Sequence, residues 1–431
     1  MYVVRATYQP LELGEATNAA LAFARHGQIA DAFFAGQGPT AHLLPVAIWI
    51  AGSVYRLFGA DSLTANLVLA GWALVQTFAA FLLLRSLFVA MRLDRDAVCG
   101  GLILLCWFPV LIAQEAIDFC VWEAGMAVCL AAINLLCLVR LADAATIVTW
   151  RHLAAIALLA AATAFVSPPA GLAVDCCWAI FAFRQLSWPR IAGFAALSAA
   201  ALALLFVPWM LRNLAVLGDV VWIRSNFGLE FAIANHPAAV SGLSPNEVLQ
   251  ARMAQIHPFH NPPALAAMRA AGGEVAYAKA LGRATWAWAA NTPIAFIRLT
   301  LRHYRQFYVP DTWQLMLTNW HDLIGLRAIV MQIVGVSGLI ALMLGLVRRR
   351  RHYGILATYI AVAGLPYALV QPIPRYSYLV YGLLAFLAVS LFVELAERLR
   401  AQILRQSYDL RRPPLIIAPV DPTPGPEGLG T

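Results

Sequence analysis

The sequence predicts an all-α polytopic membrane protein, and three observations carry that reading. Hydrophobic residues fill 61% of the 431 positions and charged residues only 12%, with a mean hydropathy of +0.72. Soluble domains are about 45–50% apolar and about 25% charged, so this chain cannot cover a water-facing surface of its own size. Apolar runs approaching the roughly 20 residues that cross a bilayer recur along the chain. The arginines between those runs fall in alternate loops.

Segment 43–58 is short for a span and carries Arg56 near its end, which predicts an interfacial helix. Spans are expected at 62–91, 97–114, 118–139, 152–167, 169–184, 191–211, 323–347, 353–371 and 376–396, about nine in all. Ser167-Pro168-Pro169 predicts a tight turn between two short ones. Arg92 and Arg95, Arg140 and Arg151, Arg184 and Arg190, and Arg348 to Arg351 follow every second span. The intervening short loops hold Arg375 alone. By the positive-inside rule the basic loops are cytoplasmic.

The expected organisation follows. Residues 1–61 form a first external loop with interfacial helices. Residues 62–211 form a bundle of about six spans, 212–322 a large external loop, and 323–396 about three more spans. Residues 397–431 are a cytoplasmic tail, expected to be disordered where proline and glycine accumulate after Arg412. The long loop has helical patches such as 264–290, and its Trp222, Trp286, Trp288 and Trp313 suit a membrane interface. No apolar core of a cleavable signal peptide occurs in the first 40 residues, and no internal repeat is present.

Composition and motifs also exclude. The net charge of +8 comes almost entirely from arginine, with Lys279 the only lysine. It reports cytoplasmic loops rather than nucleic-acid binding. The seven cysteines lie in apolar stretches without a Cys-x-x-Cys, which predicts buried apolar side chains, not a zinc site or a disulfide frame. There is no Walker loop, dinucleotide fingerprint or His-Glu-x-x-His.

Acidic residues collect on the opposite side from the arginines. Glu12, Glu15, Glu115, Asp118, Asp219, Glu230, Glu247, Glu274 and Asp311 all fall outside or at outer span ends. Carboxylates bias orientation little, so a functional outer face is the better account. Glu12 and Glu15 share a helix face, and Glu115 and Asp118 have the same spacing in a short turn. Brought together, such carboxylates supply a general base or oxygen ligands for a divalent cation; apart, they are solvated helix ends. Glu123 and Asp175 are ionisable groups within spans, too few to suggest ion coupling. Arg212, Arg224, Arg302, Arg305 and Arg375 lie at outer ends, placed either to hold a phosphate or to meet lipid headgroups. His257 and His260 in a proline-rich turn offer a metal pair or a hydrogen-bonded loop.

Gly38-Pro39-Thr40-Ala41-His42-Leu43-Leu44-Pro45, leading to Tyr55-Arg56-Leu57-Phe58-Gly59, resembles the first external loop of GT-C membrane glycosyltransferases. The likeness is to the branch of protein O-mannosyltransferases and aminoarabinose transferases. Pro208-Trp209-Met210-Leu211-Arg212-Asn213 is similar to that branch's Pro-Trp-x-x-Arg-Asn. Arg224-Ser225-Asn226-Phe227-Gly228-Leu229-Glu230, Asn235-His236-Pro237, the stretch from Gly273-Glu274 to Pro293, Arg302, and Pro374-Arg375-Tyr376 follow in family order. The resemblance implies a GT-C-like bundle. It also implies transfer of a sugar from a polyprenyl-phosphate donor to a glycan, lipid or protein acceptor at the outer face of a bacterial inner membrane. It implies catalytic roles for Glu15, Glu12, Asp118 and Glu115, and donor-phosphate binding by Arg212, Arg375 and Arg224. The metal requirement stays open. Members of the branch begin with a span before that loop, whereas this chain starts almost directly in it, and they carry Asp where this chain offers Glu. The alternative is a non-enzymatic membrane protein, either a glycan or lipid transporter or a relative serving as a partner subunit.

Overall fold

The computed structural model describes residues 14–60, 62–108, 121, 123–144, 148–259, 261–318 and 323–410. Among them the backbone is helical with connecting turns, and β structure is limited to an isolated antiparallel bridge between Ala30 and Pro39. The chain divides into two compact units, residues 1–391 and 392–431. Within the described residues the second unit is helical, and its Arg398 Nη2 donates to Glu394 Oε1 at 2.6 Å.

The first two helices among the described residues are α1 (Glu15–His26) and α2 (Pro45–Phe58). They cross at Gly52, where a Cβ would stand 2.6 Å from the Phe23 ring and 2.8 Å from the Ala20 carbonyl oxygen. A helix is thus present over most of the expected segment 43–58, as α2. Then come α3 (Leu63–Ala90), α4 (Arg95–Trp107), α5 (Ala124–Asp143), α6 (Trp150–Val166), α7 (Pro168–Gln185) and α8 (Trp188–Leu217). A middle region follows with α9 (Phe227–Ala234), α10 (Pro245–Ile256), α11 (Pro262–Ala270), α12 (Glu274–Asn291) and α13 (Pro293–Tyr308). The chain returns through α14 (Ile324–Val347), α15 (Tyr353–Ala368) and α16 (Tyr378–Leu410).

Among the described residues a helix overlaps each of the nine expected spans, with α4 covering only the first part of 97–114. Among the described residues, five helical segments are long and apolar enough to cross a membrane: Leu63–Ala90, Ala124–Asp143, Trp188–Leu217, Ile324–Val347 and Pro374–Gln406. The helices α6 and α15 are apolar but have 17 and 16 residues, or about 25 Å each against a hydrocarbon core of about 30 Å. The junction of the spans expected at 97–114 and 118–139 falls largely outside the described residues.

Four boundaries differ from the sequence reading. Helix α8 runs six residues beyond 211, through Pro208 and on to a left-handed Gly218, so Arg212 and Asn213 are helical rather than the start of a loop. Helix α5 begins at Ala124, which puts Glu123 at a helix end instead of inside a span. The helical patch 264–290 is two helices, separated at Gly272 and Gly273, whose φ values of 91° and 110° suit glycine. The last helix continues to Leu410, because Glu397, Arg398, Leu399, Arg400, Ala401 and Gln402 are strong helix formers. Residues 397–410, expected in the tail, are therefore helical.

Polar ties hold the bundle. Trp178 on α7 donates Nε1–H to Asn134 Oδ1 on α5 at 2.8 Å, and Asn134 Nδ2 donates to Thr163 Oγ1 on α6 at 3.0 Å. Interhelical bonds of this kind contribute about 0.6–2 kcal/mol in membrane proteins. The proline turn after Val166 lets α6 and α7 touch backbone to backbone, since a Cβ on Gly171 would fall 2.3 Å from the Ala164 Cα.

At the far ends of α3 and α14 the chain makes a turn that usually takes glycine. Leu93 N–H reaches Phe88 O and Arg350 N–H reaches Gly345 O, the Schellman pattern, whose left-handed position is usually glycine. Here Arg92 (φ 58°) and Arg349 (φ 53°) occupy it. A side chain in that conformation costs about 1–2 kcal/mol.

Candidate functional site

The site begins at Glu15, the first residue of α1, where the helix N-terminus favours a carboxylate. The chain leaves α1 at left-handed Gly27 and doubles back through residues 29–40, held by Asp31 N–H to Gly38 O and Thr40 N–H to Ile29 O. This return brings His42 to Glu15, with Nε2 3.1 Å from Oε2. From the middle region His257 brings Nε2 to 3.3 Å from Oε1, without hydrogen-bond geometry. The His257 Nδ1 accepts from Phe259 N–H at 3.2 Å, which turns Nε2 toward Glu15. Phe33 meets both rings edge-on, at 4.6 Å from His42 and 5.8 Å from His257.

Burial pushes the Glu15 carboxyl up, but the charge and hydrogen bond of His42, then His257 and Arg375, outweigh it and bring it down to about 2. Burial pushes His42 down, and Glu15 above all, with Glu274 and Glu230 behind it, raises it above its ordinary 6.5. The pair is a carboxylate held ionised against a histidine held protonated.

A second buried carboxylate organises the walls. Glu274 Oε2 accepts from Thr40 Oγ1 at 2.6 Å and Gln37 Nε2 at 3.0 Å, while Oε1 accepts from Ala41 N–H at 2.7 Å and Ser225 Oγ at 2.9 Å. Thr40 Oγ1 also accepts from His42 N–H at 3.0 Å. Glu274, first residue of α12, so fixes the loop that carries His42.

The Pro-Trp-x-x-Arg-Asn stretch acts on the same loop. Arg212 Nη1 donates to Thr40 O at 2.7 Å and to Asn213 Oδ1 at 2.9 Å, and Nη2 donates to Ile29 O at 2.5 Å. Trp209 Nε1–H reaches Ile223 O and Asn213 Nδ2 reaches Val221 O, and the Arg212 guanidinium lies 5.1 Å from the Trp209 ring centre. Spaced one turn apart, Trp209 and Arg212–Asn213 share a helix face. Arg212 is thus committed to carbonyls of the first loop. Arg224, next to Ser225, has Nη2 3.9 Å from Glu123 Oε1 and a buried Nε without a hydrogen-bond partner. The Arg375 charge is felt at Glu15, and its guanidinium lies 5.3 Å from the Tyr376 ring. That ring stacks on Tyr367, which stacks on Phe307.

Of the residues expected to be catalytic, Glu15 is central, and Glu12, Glu115 and Asp118 lie outside the described residues, as does His260. Among the described residues no group of three His, Cys, Asp or Glu side chains is placed to hold a metal ion. Sequence reasoning gave no role to His42 or Glu274. Both stand inside stretches that resemble the family, but that they meet could not be read from spacing.

The fold these helices form is similar to that of known structures. The chain superposes on the archaeal oligosaccharyltransferase AglB from Archaeoglobus fulgidus, solved in complex with an inhibitory peptide and a dolichol-phosphate. The TM-score is 0.51 at 14% identity, over 96% of this chain and 50% of that one. The apo form of an oligosaccharyltransferase from the same organism gives 0.49 at 15% identity, over 95% and 50%. ArnT from Cupriavidus metallidurans bound to undecaprenyl phosphate gives 0.38 at 13% identity, over 90% and 75%. The chain spans about half the length of the oligosaccharyltransferases it matches. No family model and no curated protein matches it.

Proposed function

We propose that the protein is a glycosyltransferase that moves a sugar from a polyprenyl-phosphate donor to a cell-envelope acceptor. It would work at the outer face of a bacterial inner membrane, with residues 212–322 outside and the Arg-rich tail in the cytoplasm. The observation that carries this is the ionised Glu15, flanked by two histidines and within the field of Arg375.

The chemistry follows from the charges. The acceptor hydroxyl donates a hydrogen bond to Glu15. The bond from the sugar C1 to the phosphate oxygen breaks with its electron pair leaving on the phosphate, where Arg375 and Arg224 offset the new charge. The acceptor oxygen bonds to C1, and its proton passes to Glu15. A carboxylate at about 2 is a weak base toward a resting hydroxyl, so the proton moves late, after bonding to C1 has made that hydroxyl acidic. Arg212 and Glu274 keep the loop in place. Asp118 or Glu115 supplies the second carboxylate.

The test is transfer from a radiolabelled polyprenyl-phosphate sugar in membranes. Glu15→Ala combined with Asp118→Ala should remove transfer. Unchanged transfer overturns the reading.

A further inference from the structure

Arg224 and Glu123 form a pair that stability does not explain. Arg224 Nη2 stands 3.9 Å from Glu123 Oε1, beyond hydrogen-bond distance, although the two side chains are only 27% and 13% exposed. The buried Nε of Arg224 has no hydrogen-bond partner. Glu123 occupies the N-cap of α5, yet its side chain makes no cap hydrogen bond. By contrast the more exposed Arg305 holds Asp311 at 2.7 Å. Burial of two charges is offset only by close, well-aligned contacts, so this pair is loose where closeness matters most.

The pair borders the residues proposed to hold the donor phosphate. Both charges are felt at Tyr367, and that of Glu123 at Tyr378 as well. The Tyr367 ring stacks on Tyr376 at 4.9 Å, and the Arg375 guanidinium lies against Tyr376. Glu123 itself has no part in the transfer step.

The change of charge during transfer gives a carboxylate a task here. The donor is a phosphodiester with one negative charge. Once the sugar has left, the lipid phosphate is a monoester, which carries about 1.5–2 negative charges near pH 7. An arginine that stabilises the leaving phosphate also retains it as product. A carboxylate beside that arginine disfavours the second charge and offers the guanidinium another partner.

Resting on the glycosyltransferase reading, we infer that Glu123 is a positioning residue that competes for Arg224 and so sets the release of polyprenyl phosphate. The donor phosphate draws Arg224 away from Glu123, and departure of the product returns it. A loose contact suits such an exchange, whereas a bidentate pair would keep Arg224 from the donor.

The test is native mass spectrometry of the full chain in detergent with undecaprenyl phosphate, the lipid without its sugar. The parent should bind it. Glu123→Gln should bind it about tenfold more tightly, the effect of removing one like charge at close range. Glu123→Ala should change binding in the same direction, and Glu123→Asp should stay near the parent. A merely structural support for Arg224 predicts weaker binding on loss of Glu123. Binding that is unchanged or weaker in Glu123→Gln, with the parent still binding, therefore overturns the role of Glu123 and leaves the glycosyltransferase reading standing. Failure of both Glu123→Gln and Glu123→Ala to fold makes the residue structural and overturns the role too. A parent that does not bind undecaprenyl phosphate overturns the glycosyltransferase reading, and the role of Glu123 with it.

Discussion

The Glu15 end and the Arg351 end of the bundle handle charge in opposite ways. Around Glu15 two carboxylates, Glu15 and Glu274, meet donors from residues far apart in the chain, and all four donors to Glu274 are named side chains or backbone. Around Arg351 the Asp143 carboxylate meets Arg351 and His352, two residues adjacent in the chain, and His352 is left-handed at φ 65°. At the first end Glu274 has donors on both oxygens, while Glu15 Oε1 is buried without a hydrogen bond. The second is tied by one carboxylate to neighbouring residues of a single turn.

Substitutions can break this comparison, and the largest effect belongs to Glu15. Glu15→Ala should lower sugar transfer about a hundredfold or more, the usual contribution of a positioned proton acceptor. Glu15→Gln should do nearly the same, since it keeps the shape and loses the charge. Transfer rates in washed membranes decide it.

Next comes Glu274. Glu274→Ala strands the four groups that donate to it and should cost about 3 kcal/mol, read as a lower unfolding midpoint in detergent. Glu274→Gln should recover part of that loss. A comparable cost is expected for Gly228→Ala, because a Cβ there would lie 2.0 Å from the Ala278 carbonyl oxygen. Forcing α9 away from α12 should cost about 1–3 kcal/mol.

The Arg351 end should answer with the opposite sign. Arg349→Gly relieves a left-handed side chain and should raise stability by about 1 kcal/mol. Loss of stability instead would mean the side chain contributes more than its backbone costs.

The pH dependence of the Glu15–His42 pair tests the first end once more. Glu15 is depressed from 4.5 to about 2, so its contribution is complete above about pH 4.5 and is lost as pH falls toward 2. His42 is raised from 6.5, so its contribution is complete below 6.5 and is lost as pH rises through its higher folded value. Thermal stability should be greatest between those limits, and His42→Gln should flatten the alkaline side.

Much of the fold was legible because lipid imposes long apolar runs, and among the described residues a helix overlaps each of the nine expected spans. Boundaries were less legible where a helix outlasts its apolar stretch, as at Arg212 and at residues 397–410. The site was legible in its local half only. Glu15 could be singled out as an outer carboxylate, but its partners His42 and His257 come from other elements, and no periodicity links them. Arg212 shows the limit most clearly: an arginine at a helix end reads the same whether it faces a phosphate or three oxygens of its own chain.

The bond from Thr40 to Glu274 joins residues 234 positions apart. During synthesis the loop bearing His42 therefore emerges long before the side chain that fixes it. Until α12 has been made, Thr40, Gln37 and the Ala41 amide lack their shared acceptor, and the early loop must be carried unformed through the insertion of every helix between. Assembly of this region thus runs backwards along the chain, its beginning completed by a segment made near two-thirds of the way through translation.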